Sequence, residues 1–263
     1  MINFNRVWAV TLRHLYLWRR SLGRVFDAIY WPALDVLIWG FVSVYMWQRN
    51  MEDINLITLF LGGMIFYRIF TQVQGDISIA FLEEVWNNNL LNLFASPLNV
   101  WEYQLGQIIL SLLKLVLSVL TMLTLAWILY AFNIFKFGFF IIPFVICLII
   151  FGWAIGFIAN AIILRFGRNL ETMAWAIPWS LMPFSGVFYP PETLPIWGQK
   201  VSALLPTTYI FEGMRQIIKS GGLDSSYLVT SFIFSLIYLI VSLLLFKTAF
   251  EHAREKGILK KVD

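Results

Sequence analysis

The sequence predicts an all-α membrane protein: six transmembrane helices, an N-terminal amphipathic interface helix, and external re-entrant helices before the last span. Three observations predict it. The 263 residues are 60% hydrophobic and only 13% charged, with a mean hydropathy of +0.76, whereas a soluble domain carries about 25% charged residues. The apolar residues lie in long continuous runs rather than alternating ones, which selects helices over a barrel as the structure that satisfies its backbone in lipid. The aromatic share of 17% suits Trp and Tyr belts at the two membrane surfaces.

Residues 1–25 read as an amphipathic helix. Phe4, Trp8, Thr11, Leu15, Trp18 and Leu22 recur at spacings of three and four, the period of one helix face. Arg6, Arg13 and Arg20 repeat every seven residues on the other side. Such a helix lies in the interface, with its rings in the acyl boundary and its arginines at lipid phosphates. The arginines also interrupt the stretch where the apolar core of a cleavable leader would lie, so no leader is expected.

Six apolar segments follow, at Ile29–Trp47, Ile54–Val73, Leu105–Ala131, Phe137–Leu164, Glu171–Tyr189 and Tyr227–Phe250. Each is long enough to cross roughly 30 Å of hydrocarbon at about 1.5 Å per residue. With the N-terminus inside, the cytoplasmic flanks hold twelve Lys and Arg, among them Arg6, Arg13, Arg24, Arg165, Lys256, Lys260 and Lys261. The outside holds five: Arg49, Lys136, Lys200, Arg215 and Lys219. That asymmetry orients the chain with both termini in the cytoplasm. It also accounts for the net charge of +4 without a nucleic-acid partner. The one cysteine, Cys147, excludes an intramolecular disulfide.

Two joints are long. Residues 76–104, cytoplasmic on this topology, contain Asp76, Glu83, Glu84 and Glu102 and no Lys or Arg. Ile79, Leu82, Val85 and Trp86 form an apolar side, and Asn87–Asn89 would stop the helix. A short acidic amphipathic helix of this kind suits a cleft in a cytoplasmic partner. Residues 190–226 are external. They open with Pro190 and Pro191, and Pro195 and Pro206 break them again. They are too apolar for a solvated loop and too broken for two full spans. Two half-length helices that dip in and return fit, provided that the non-helical backbone is buried in protein or lines water. Pro178 and Pro183 would kink the fifth span.

Asp35, Arg68 and Lys114 lie inside spans at similar depth. An unpaired charge there is expensive, so Asp35 is expected to pair with Arg68 or Lys114, and a structural ion pair is favoured over a relay. No G-x-x-x-x-G-K-[ST] cradle for nucleotide phosphates occurs. His14 and His252 lack partners at metal-ligand spacing. Neither G-x-S-x-G nor H-E-x-x-H appears, so no chemistry of the chain's own and no bound metal is expected.

Three stretches carry a resemblance: Leu90–Leu98 (LLNLFASPL), Ser185–Pro195 (SGVFYPPETLP) and Leu204–Gly221 (LLPTTYIFEGMRQIIKSG). With the Arg-rich start, they make the chain similar to the ABC-2 type transport permeases, the membrane subunits of bacterial ABC exporters, over nearly its whole length. The resemblance implies one transmembrane domain over 1–263, in the bacterial inner membrane. It implies a homodimer or heterodimer with a second permease, working with separate cytoplasmic ATPase subunits that bind the ATP and Mg. The first helix and the 76–104 joint would dock on the ATPase through Glu83, Glu84, Val85, Trp86 and Asn87. The outer side would be closed by Pro191, Leu194, Pro195, Pro206, Tyr209, Gly213 and Arg215. The cargo expected is a hydrophobic drug, a lipid or a lipid-linked glycan. Asp35 departs from an apolar first span. Two rivals stand beside this reading. An autonomous ion-coupled carrier or channel would use Asp35, Arg68 and Lys114, and would show a sequence repeat that is not found. An intramembrane enzyme would need a polar catalytic cluster at one depth.

Overall fold

A computed structural model describes residues 2–48 and 55–255. Arg49, Ile54, Lys256, Lys260 and Lys261 lie outside the described residues. Every element among those described is helical: α1 (Phe4–Arg20), α2 (Leu22–Gln48), α3 (Asn55–Trp86), α4 (Leu90–Ala95), α5 (Val100–Tyr130), α6 (Ile141–Phe166), α7 (Met173–Leu181), α8 (Ile196–Ser202), α9 (Pro206–Ser220) and α10 (Ser225–Glu255), with short 3-10 turns between some of them. Among the described residues four helical stretches are long and apolar enough to cross a membrane: Leu22–Met46, Val100–Tyr130, Phe137–Phe166 and Ser225–Glu255. The 32-residue α3 stands beside them.

Several boundaries differ from the sequence expectation, and the helix of the second segment runs on to Trp86 rather than ending at Val73. The N-terminal helix does not run to residue 25. Asn3 caps its start, and Ser21 breaks it in an extended conformation. The first apolar helix then begins at Leu22 rather than Ile29. The third begins at Val100 rather than Leu105. There Asn99 and Glu102 form a capping box, each side chain taking the other's backbone N–H, which satisfies two donors that a helix start leaves unpaired. The fifth segment, expected at Glu171–Tyr189, is the largest departure. It is α-helical only over Met173–Leu181, then tightens to a 3-10 turn at Met182–Phe184. Pro178 and Pro183 each remove a backbone donor, and Gly186 turns the chain at a φ of +71°.

Apolar side chains gain little by leaving lipid for protein, so close packing and polar contacts hold such helices together. The packing centres on α6, which lies against α10 along one side and α3 along the other. At Gly152 a Cβ would stand 2.9 Å from the Phe70 carbonyl oxygen, and at Gly156 2.8 Å from Ile77. These two positions let the α3 and α6 backbones touch. Phe70 then stacks on Phe151 at 5.0 Å, and Asn160 donates to the Ile77 carbonyl. A second group, α2, α3 and α5, packs mutually on the other side of α3.

Candidate functional site

The densest polar chemistry lies where α3 ends, against α1. Val7, Val10, Thr11 and His14 are the buried face of α1. They press on α5 at Gly106, where a Cβ would come within 2.7 Å of Val10. The Thr11 hydroxyl reaches both the Val7 and Gly106 carbonyls at 3.1 Å. The stripe expected to face lipid lies largely outside this contact. Of its members only Thr11 is buried, while Phe4, Trp8 and Leu22 are exposed.

Carboxylates set this face. Arg13 Nη2 donates to Glu84 Oε2 at 2.9 Å, and Arg24 Nη1 lies 3.1 Å from Glu83 Oε1. His14 sits between them, with Nε2 3.3 Å from Glu84 and Nδ1 3.7 Å from Glu83. Asn89 adds a 2.7 Å donation to Glu84. One turn away, Glu102 accepts the Asn3 backbone N–H at 2.8 Å and lies 3.6 Å from Arg6. Arg6 and Arg13 thus each lie against a protein carboxylate.

Burial pushes the Glu83 carboxyl up, but His14 and Arg24 outweigh it and hold the group below its ordinary 4.5. Glu84 and Glu102 are each 1% exposed. Charges this deep persist only when paired and hydrogen-bonded.

This corrects the expectation of a free acidic face. Glu83, Glu84 and Val85 turn inward, where Arg13 and His14 of α1 and Arg24 of α2 meet the two carboxylates. What remains exposed is Trp86, Asn87 and Asn88. Asn88 adopts a φ of +51°, a left-handed turn that Asn tolerates. Trp86 Nε1 donates to Glu171 Oε2 at 2.8 Å, joining this turn to the segment that follows α6.

Along α3 the charges expected inside the membrane pair off. Arg68 Nη1 is 3.3 Å from Asp35. Lys114 does not reach Asp35 as its partner. It takes Asp76 at 3.2 Å instead.

At the far end, α8 has seven residues and α9 fifteen, both short of the roughly 20 that a span needs. Pro191 opens a 3-10 turn closed at Leu194. Pro195 caps α8, and Pro206 takes the first turn of α9. Gly213 brings α9 close enough to Phe144 that a Cβ would sit 2.6 Å away. Tyr209 donates to the Ala203 carbonyl at 2.8 Å and stacks on Phe234. Arg215 clamps Glu212 at 2.6 Å, beside a cavity of about 10 Å³ lined partly by Gly63 and Val187. Thr208 ties α9 to Ser202 and Phe184 through their carbonyls.

Among the described residues no group of three or more His, Cys, Asp or Glu could hold a metal. The arrangement binds helices together. Residues 7–219 match the family model described as ABC-2 type transporter. The chain belongs to that family. No curated protein matches it.

As an ABC-2 type chain, it is a membrane transport component. The α1 clamp on Glu83 and Glu84 is the part that sequence reading missed. Two signals pointed to it: the adjacent Arg13 and His14 complement the adjacent Glu83 and Glu84, and the acidic joint has no basic residue of its own.

Proposed function

We propose that this chain is the membrane subunit of an ATP-driven exporter, with six spans and both termini in the cytoplasm of a bacterial inner membrane. On this reading α1 is the interface helix, α3 is the second span, α7 belongs to the fifth, and α8 and α9 are re-entrant on the outer side. Two permeases pair, and separate ATPase subunits supply the energy. The cargo is hydrophobic or amphiphilic and moves outward.

The observation that carries the reading is the knot of ion pairs beneath the Trp86–Asn88 turn. The turn is exposed, while the residues just before it are tied to α1 and α2 by Glu83 and Glu84. A push on the turn is then passed to those helices as one body instead of being lost in a flexible loop. The lack of a phosphate cradle in the sequence supports a partner as the source of ATP energy.

The test is reconstitution with a P-loop ATPase that copurifies with the permease from its native membrane. The permease should retain that ATPase and stimulate its turnover. Trp86→Ala with Asn87→Ala should abolish both while insertion is kept. Undiminished binding and turnover in the double variant, or ATP hydrolysis by the permease alone, would overturn the proposal.

A further inference from the structure

The α3 helix is buried nearly all round, with Phe70, Val73, Ile77 and Ser78 at 0% exposure. One face is not. Arg68, Thr71, Gln72, Gly75 and Ile79 are half-buried, and their spacing of three and four puts them in one line. Beside Gly75 the space is open: an added Cβ would meet nothing within 4 Å.

That line is polar. Arg68 Nη2 donates to Gln72 at 3.3 Å, and Gln72 Nε2 donates to Asp76 at 3.0 Å. Asp35 flanks the first member, and Lys114 flanks the last. The ladder runs about 12 Å along the helix, from Arg68 to Asp76. It rises into the apolar layer from the end of α3 that joins α4.

Pairing alone requires no open flank, and acyl chains cannot satisfy hydrogen-bonding groups. The Arg68 and Asp35 side chains are 22% and 20% exposed beside this face. The two carboxylates and two cations sum to zero, so the face offers both donors and acceptors without attracting net charge. A phosphate would bring an unbalanced charge, and a plain hydrocarbon would leave the ladder unpaired. Sugar hydroxyls donate and accept alike.

We infer that the open face of α3 around Gly75 binds the uncharged, hydroxylated headgroup of an amphiphile, held by Asp35, Arg68 and Gln72. The inference rests on the transport reading and specifies its cargo as a sugar-bearing lipid.

Gly75→Cys in a Cys147→Ala background tests it, because Cys147 is the sole native cysteine. The full-length permease is placed in phosphatidylcholine nanodiscs and alkylated with a water-soluble methanethiosulfonate reagent. The cysteine should react. Glucosyl-diacylglycerol should slow the reaction several-fold, and diacylglycerol with the same tails should not. Adding Arg68→Gln should remove the protection. An unreactive cysteine would overturn the site, as would equal slowing by diacylglycerol or by phosphatidylglycerol. Should Arg68→Gln fail to insert, the three-lipid comparison on Gly75→Cys decides alone. No ATPase is present, so a failure of energy coupling leaves this result standing, and a failure here leaves the coupling test standing.

Discussion

Arg13 and Glu84, 71 residues apart in the chain, meet at 2.9 Å, with the Glu84 side chain 1% exposed. The first helix is thereby fastened to the end of α3 by a charge that water barely reaches. Glu84→Ala leaves Arg13 and Asn89 without their shared acceptor and removes the carboxylate beside His14. Arg13 is 39% exposed and can turn to water, so the loss is that of hydrogen bonds to a charged group, about 1.5–3 kcal/mol. Hydrogen exchange should show residues 5–20 opening, and Arg13→Ala combined with Glu84→Ala should cost clearly less than the sum of the single changes. Additive losses would mean that the two residues do not act together.

The same cluster makes the attachment of α1 acid-sensitive. The folded Glu83 value lies below 4.5, so its contribution is complete above the unfolded carboxylate range. It is lost as pH falls through the lower, folded value. Protease susceptibility of α1 should rise only below about pH 4. Glu83→Gln should flatten that dependence by removing the titrating group.

Gly106 and Gly75 make opposite predictions for one substitution. Gly106→Ala drives a methyl against Val10 and the Val7 carbonyl, an overpacking cost of about 1–3 kcal/mol. Gly75→Ala meets open space and should stabilise its helix by about 0.5–1 kcal/mol. Thermal unfolding of the two purified variants separates them, and equal midpoints would contradict the packing described for α1 on α5.

At the other end, Gly186→Ala places a side chain at a φ of +71°, 3.2 Å from the Arg215 guanidinium. The left-handed backbone alone costs about 1–2 kcal/mol. Arg215→Ala should destabilise the same region, because it strips Glu212 of its partner. Both variants should raise hydrogen exchange in 186–215 and leave residues 5–20 protected. Opening of both regions together would mean that the two ends are not independent.

Much of this protein was legible without coordinates. Long uncharged runs predict helices because lipid leaves a backbone no other partner, and the Pro-broken segment after residue 190 predicts pieces too short to span. The motifs at Leu90, Ser185 and Leu204 pointed to the right family. The charges inside the runs announced that they need partners. Which partner each took was not legible. Asp35 faced two candidates at similar depth, and only the packing of α2, α3 and α5 put Arg68 beside it and gave Lys114 to Asp76.

The inward turn of Glu83 and Glu84 was likewise invisible, since an acidic amphipathic stretch has the same period whether its carboxylates face water or another helix. Hydrophobic periodicity is a local property, set by neighbours three and four residues away. The choice of salt-bridge partner depends on residues some 70 positions distant, brought close by the close approach of α1 to α5 at Gly106. The amino-acid sequence by itself thus determined that this chain is helical, membrane-borne and of the ABC-2 type. The tertiary structure alone decided which charges are locked inside and which face is left open.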